Sequence, residues 1–302
     1  MEIIDATAVQ TDRIAPAAPV CVIVGPSEPQ RAITAAIWVG ADADAAEHLL
    51  ASPHRRPSAY AQDHRISVVA LATAEDSAGY RMDDLANQEV HLHAGRHGLV
   101  VMCPEPLRPV IRNLVSKMDG GPQDGLLAVL LALADQATAA IQDLSEEADR
   151  LDRGKTGLAS GNLRRSIALL RRRLFGLQQL WAAHSLMCAT DGILAEAVDD
   201  PAAQRRLRQT SGTFEASSAA AARAYALLGD TLTRQATLIN ERLTLVTVIF
   251  LPLTVVSSFF GMNFGWLVDH IGSATSFLIM GIVLPLILAA ISWVAARMLN
   301  TR

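Results

Sequence analysis

The sequence predicts an α+β domain followed by long stalk helices and two C-terminal transmembrane helices. Three observations carry this reading. Up to about residue 120, short runs rich in Val, Ile and Ala alternate with Pro, Gly and polar breaks. From Leu126 to Asp200 proline is absent, and the Ala, Leu, Arg, Gln and Glu that helices prefer dominate. Finally, residues 243–268 and 271–296 are uncharged and divided only by Asp269 and His270. Each supplies at least the ~20 apolar residues that a helix needs to cross a bilayer.

Taken in order, residues 20–25, 33–39 and 66–73 read as strands, and residues 41–50 as a helix. Residues 89–93 and 98–103 flank Ala94-Gly95-Arg96-His97, which reads as a hairpin. Pro104, Pro106 and Pro109 close this region. Two long helices are expected over 126–151 and 163–197, separated by Gly154, Gly157 and Gly161. Asp143, Glu146, Glu147, Asp149 and Asp152 cluster at the end of the first and read as a solvated helical face.

Asp200 and Pro201 then form a helix start, as N-cap and first helical residue. Beyond it, Phe214, Ser218, Ala221, Tyr225, Leu228, Leu232, Gln235 and Ile239 repeat at alternating spacings of four and three, a seam for lengthwise helix packing. A helix unbroken from 201 to 260 spans about 90 Å, of which about 30 Å can lie in hydrocarbon. The rest projects as a stalk. The expected division is a 1–120 α/β domain, 121–200 long helices, a 201–242 stalk and a 243–260 first span. A 261–270 outer loop, a 271–296 second span and a 297–302 tail complete it.

Charge and cysteine content narrow the functional classes. A net charge of -4 gives no reason to expect nucleic acid as a partner. Cys21, Cys103 and Cys188 are odd in number and widely spaced, suiting a reducing compartment and no zinc or disulfide pattern. No secretory leader is expected, because residues 1–30 hold Asp5, Asp12, Arg13 and Pro16 without a continuous apolar core. Arg234 and Arg242 precede the first span, Arg297 and Arg302 follow the second, and the intervening loop has neither Lys nor Arg. The positive-inside rule then places both termini in the cytoplasm of a multi-pass plasma (inner) membrane protein. Trp266 and Trp293 suit the two interfaces.

The first span carries a polar stripe. Asn240, Thr244, Thr247, Thr254 and Ser258, with Leu251 between, are spaced to stay within about 40° of one line down a helix. A polar line in lipid must face protein or water. One hairpin cannot enclose water, but a ring of copies can, each turning its stripe inward. Ordinary helix–helix contact through Ser and Thr is the competing reading. Pro252 removes one N–H from this helix, so a bend or backbone adjustment is expected there.

Phe260-Gly261-Met262-Asn263-Phe264, placed after Ile249-Phe250-Leu251-Pro252-Leu253-Thr254 and before a final span, resembles the CorA family of divalent-cation transporters, including its ZntB-like branch. The chain layout is similar too. The resemblance implies a CorA-like funnel, a homopentamer whose first spans line one central pore. It makes Asn263 the residue of an outer ring, with Gly261 and Met262 shaping the entrance. It puts Asn240, Leu243, Thr244, Thr247, Leu251 and Thr254 on the pore wall, joined by Ser258 from the stripe.

The implied cargo is Mg²⁺, with Co²⁺ or Ni²⁺ as passengers and Mg²⁺ also as a cytoplasmic regulator. Asp230, Asp83 and Asp84 are candidate regulatory carboxylates. An amide ring suits Mg²⁺, which dehydrates reluctantly and can offer its waters as donors. Zn²⁺ transport of the ZntB type, coupled to protons, is the alternative. A membrane-tethered coiled-coil scaffold or sensor is a more distant one. The sequence departs from the family pattern in its sparse acids after the motif and its thin basic tail. No P-loop, nucleophile triad or paired catalytic carboxylates appear, so neither enzymatic chemistry nor an organic cofactor is expected.

Two histidine features stand apart. His91 and His93 share one strand face with His97 beyond the turn, a start toward a zinc site that no nearby Cys completes. A solvated hairpin is the expectation. His270, near the outer loop, would suit a softer ion such as Zn²⁺, but reads as an interfacial polar residue.

Overall fold

The computed structural model describes residues 1–5, 16, 18–51, 56–73, 88–117, 120–153, 161–261, 273, 275 and 278–299. Two compact units emerge. One comprises Met1–Lys155 with Gly161–Gly229, and the other Thr156–Ser160 with Asp230–Arg302.

The first unit is built on a six-stranded mixed sheet. Its strands are β1 (Glu2–Asp5), β2 (Val20–Val24), β3 (Ser58–Gln62), β4 (Arg65–Ala72), β5 (Gln88–Ala94) and β6 (Gly98–Met102), in the order β1-β2-β6-β5-β4-β3. β1, β2 and β6 run parallel, and β6, β5, β4 and β3 alternate antiparallel. Of the four interior strands, β2, β4 and β6 are almost wholly buried, as continuous apolar runs covered on both faces should be. β3 is an edge strand of small and polar residues, Ser-Ala-Tyr-Ala-Gln, and shows no apolar alternation to betray it. It joins β4 through Asp63 and His64, both at positive φ (48° and 65°), which matches the twist of a two-residue hairpin.

Residues 33–39 are helical and not a strand. They lie mostly in α1 (Pro29–Trp38), which starts on Pro29 and buries Ala32, Ala35 and Ala36 on one face. A short apolar run does not distinguish a buried strand from a buried helix; the three- and four-residue spacing of the alanines decides it. α2 (Ala43–Leu50) follows, capped by Asp42, whose Oδ1 accepts the Ala45 N–H at 2.9 Å. α1 and α2 cover the sheet face that carries Val20, Val22, Val24, Val100 and Met102.

α3 (Arg108–Ser116) and α4 (Pro122–Arg153) come next. α4 buries Leu126, Leu127, Leu130 and Leu133, and packs on β4, β5 and β6. It sits on the opposite sheet face, because a Cβ on its Gly125 would meet Leu99, the neighbour of Val100. α5 (Gly161–Met187) ends ten residues before the expected stop at residue 197. The chain turns at Cys188–Gly192 and resumes as a single turn, α6 (Ile193–Glu196).

α7 runs over Pro201–Gly261 and stays helical through Pro252. Asp200 caps it, its Oδ2 accepting the Ala203 N–H at 3.0 Å. Within the first unit the seam residues of α7 face inward. Phe214 stacks on His184, Tyr225 lies beneath the Arg171 guanidinium at 4.3 Å, and the Ser218 hydroxyl donates to Gln178 O at 3.0 Å. The polar interruption at Ser218 is thus a bond to α5.

In the second unit, the π-helical turn Ile279–Val283 leads into α8 (Leu284–Leu299). Pro285 explains the turn. Its missing N–H and ring forbid an ordinary bond to Gly281, and the helix widens so that the Leu284 N–H reaches Ile279 O.

Candidate functional site: the open face of the longest helix

α7 positions the predicted stripe. Asn240, Leu243, Thr244, Thr247, Leu251, Thr254 and Ser258 are all exposed, and so is Asp230. At 100° per residue the seven stripe residues lie within about 60° of Thr247, whereas Asp230 lies about 100° from it. Leu245, Val248, Ile249, Pro252 and Val256 are half-buried and lie on the far side of the helix. The polar line is therefore the uncovered side.

Continuing the spacing of three and four toward the N-terminus adds Thr237 and Thr233, both exposed, before reaching Asp230. Thr237 and Thr233 extend the stripe expected from Asn240 onward, and the same three- and four-residue arithmetic is the sequence signal for them. The hydroxyls of Thr237, Thr244, Thr247 and Thr254 each donate to the carbonyl four residues back, at 3.1, 2.9, 2.9 and 2.8 Å. Phe250, Leu253, Thr254, Ser257 and Ser258 outline a shallow surface groove near the end of the helix.

Large apolar side chains flank the line. Phe250 is 63% exposed and Val255 61%. In α8 and its π turn, Ile279, Leu286, Ile287 and Ile291 are similarly exposed. Surfaces this apolar call for hydrocarbon or further helices. Among the described residues, two helices are long and apolar enough to cross a bilayer, α4 and α7. Half of the apolar window of α4 is buried inside the first unit, which makes it a core helix, whereas none of that of α7 is buried. The π turn (5 residues) and α8 (16 residues) together give 21 consecutive helical residues, about 30 Å.

Gly261 ends α7. Met262, Asn263, Asp269 and His270, together with Asp83 and Asp84, fall outside the described residues. The histidines correct an expectation. His91 and His93 are buried, not solvated, at 2% and 0% exposure. They pair in register with Met102 and Val100, so they lie on the face beneath α1 and α2.

His91 Nε2 donates to Glu89 Oε2 at 3.0 Å, and His93 Nδ1 lies 3.0 Å from Ser67 Oγ. Burial, then the neighbouring His91, pushes the His93 imidazole down to about 3, so it is neutral. His97 is exposed in the turn. Among the described residues no group of three His, Cys, Asp or Glu is placed to hold a metal ion. Cys21, Cys103 and Cys188 are buried free thiols, pushed up to about 12, 11 and 12 chiefly by burial, and are unreactive for that reason.

Comparison with known proteins decides the family. The family model described as CorA-like Mg²⁺ transporter protein matches residues 38–295. The chain belongs to that family. Its structure is similar to that of the CorA magnesium transporter from Methanocaldococcus jannaschii, with a TM-score of 0.61 at 12% identity, covering 90% of this chain and 88% of that one. It is also similar to the full-length CmaX protein, with a TM-score of 0.51 at 16% identity, covering 93% and 88%. The ZntB cytoplasmic domain from Vibrio parahaemolyticus matches at a TM-score of 0.49 and 13% identity, covering 66% and 82%. No curated protein sequence matches the chain. This CorA-family chain thus has the family's fold, an α+β N-terminal domain with long helices, and is a membrane transporter of divalent cations.

Proposed function

We propose that the chain is one subunit of a homopentamer that conducts Mg²⁺ into the cytoplasm through a central pore lined by α7. The observation that carries this reading is the position of the polar line. Asn240, Thr244, Thr247, Thr254 and Ser258 occupy the uncovered side of an otherwise apolar helix, opposite its half-buried side. A line of hydroxyls and an amide in a bilayer needs water or protein against it. Copies arranged around an axis supply both.

In this reading Asn263, set by Gly261 and Met262, forms the outer ring and accepts hydrogen bonds from the hydrated ion. Leu251 is a hydrophobic constriction. Asp230, Asp83 and Asp84 are the candidates for a cytoplasmic Mg²⁺ that closes the pore, and both termini lie in the cytoplasm. No nucleotide is needed. An inside-negative potential of about 100 mV favours divalent entry by about 4.6 kcal/mol. Co²⁺ and Ni²⁺ are further candidate cargo.

The test is ion flux into proteoliposomes containing the full chain, with Mg²⁺ competed against Zn²⁺ in the presence and absence of a pH gradient. Mg²⁺ influx that Asn263→Ala abolishes is the expected result. Zn²⁺ preference with proton coupling would replace Mg²⁺ by the ZntB-like alternative. Equal flux through Asn263→Ala would remove the proposed entrance.

A further inference from the structure

We propose that Thr237, Thr244, Thr247 and Thr254 select the sign of the ion that α7 passes, by turning hydroxyl lone pairs and no hydroxyl protons toward the open line. The inference rests on the pore reading above, and adds to it a residue, Thr237, and a means of selection. A threonine hydroxyl has one proton and two lone pairs. Here each proton is committed to the helix: Thr237 to Thr233 O, Thr244 to Asn240 O, Thr247 to Leu243 O and Thr254 to Phe250 O, all within 3.1 Å. The exposed oxygen is left to accept only. The β-methyl of threonine narrows χ1 and helps hold that orientation, which serine holds less firmly.

The consequence follows from how ions wear their water. A cation binds water through oxygen, so its shell points hydrogens outward as donors. An anion binds water through hydrogen, so its shell presents lone pairs. A wall of acceptors pairs with the first shell and leaves the second unpaired. Around an axis of five copies, four threonine positions give four layers of such acceptors without a formal charge. A hydrated divalent ion is welcomed yet not held, which conduction requires. Leu251, between Thr247 and Thr254, is an apolar layer in this stretch, as is Leu243 beside Thr244.

The experiment uses the full chain in proteoliposomes, with Mg²⁺ and Cl⁻ influx read by separate dyes. Thr237→Val keeps the shape and removes the lone pairs. Mg²⁺ influx is expected to fall about tenfold, the worth of one net hydrogen bond, and the Mg²⁺ to Cl⁻ flux ratio to fall with it. Thr247→Val should do the same, and Thr247→Ser should fall between. Thr213→Val is the control, since that hydroxyl also donates four residues back, to Gln209 O at 3.0 Å, but lies off the line. It should change neither flux.

Unchanged Mg²⁺ flux and ratio in both valine variants would overturn the proposal. A third arm separates that failure from failure of the pore reading. Thr247→Cys treated with a charged thiol reagent should block flux, whereas Val248→Cys should not. Block at 247 with normal valine variants sinks the threonine mechanism alone; no block at 247 removes α7 from the pathway altogether.

Discussion

The backbone N–H of Leu71 donates to Nε2 of His184 across 3.2 Å, tying β4 to α5. β3 pairs with β4 only as far as Val69, opposite Ser58, so among the described residues the edge of β4 beyond that point has no strand partner on this side. His184 supplies the missing acceptor. Its Nδ1 donates to Leu180 O at 3.0 Å, and its ring stacks on Phe214 of α7 at 4.7 Å. One fully buried imidazole therefore joins the sheet, α5 and α7. Replacing it with alanine orphans a buried N–H and opens a void. His184→Ala should destabilise the first unit by about 2–4 kcal/mol, measured by urea unfolding of the purified chain followed by tryptophan fluorescence. A loss below about 0.5 kcal/mol would show the bond to be dispensable.

The same geometry sets a pH dependence. Both ring nitrogens of His184 are satisfied only in the neutral form, and burial pushes its pKa down to about 4, against a smaller upward pull from the Leu180 carbonyl. His93 is pushed down to about 3. In the unfolded chain each titrates near 6.5. Below that value the unfolded state takes up protons that the folded state refuses, so stability falls with falling pH. The melting temperature should be insensitive to these groups above about pH 7. It should drop between about pH 6.5 and 4, and His184→Gln should flatten part of that slope. A melting temperature constant over this interval would contradict the assignment.

Gly95 makes a close backbone approach in the hairpin that carries His91 and His93. A Cβ there would lie 2.4 Å from both Ala41 N and Val39 O and 2.5 Å from Gly40 C, all main-chain atoms. The His97 N–H donates to Val39 O at 2.9 Å, so the turn is fastened to the loop between α1 and α2 and cannot retreat cheaply. Gly95→Ala should cost more than about 3 kcal/mol, at the upper end for a point substitution, and lower the yield of folded protein. Gly121→Ala, which meets nothing within 4 Å, is the matching control and should be near neutral.

The sequence revealed these features unequally, for physical reasons. The long helices were legible because three- and four-residue periodicity persists over many turns, and the α7 start because Asp200-Pro201 is a strong cap signal. The seam through Phe214, Ala221 and Leu228 lies buried, as lengthwise packing requires. Residues 33–39 misled because an Ala- and Ile-rich run suits either secondary structure when buried. β3 was invisible because an edge strand needs few apolar residues, and its turn uses Asp-His where glycine is the usual signal. The burial of His91 and His93 depends on α1 and α2 covering that sheet face, which no local pattern encodes. The polar stripe was legible, since its periodicity is local. That it is the open side of α7 became visible only with its half-buried opposite face.

Leu251 gives the last prediction. It is 63% exposed on the line between Thr247 and Thr254, the one large apolar side chain among polar neighbours there. Were the line simply a lipid-facing surface, polar substitution at 251 would cost membrane stability and do nothing to conduction. As a ring of five in a pore, Leu251 would expel water when the ring narrows, so closure needs little movement. Leu251→Ser should then raise resting Mg²⁺ influx several-fold and weaken its suppression by internal Mg²⁺, while Leu251→Phe should lower influx. Influx into proteoliposomes loaded with and without internal Mg²⁺ separates the two cases. If Leu251→Ser reduces the amount of assembled protein but leaves flux per pore unchanged, the constriction is elsewhere.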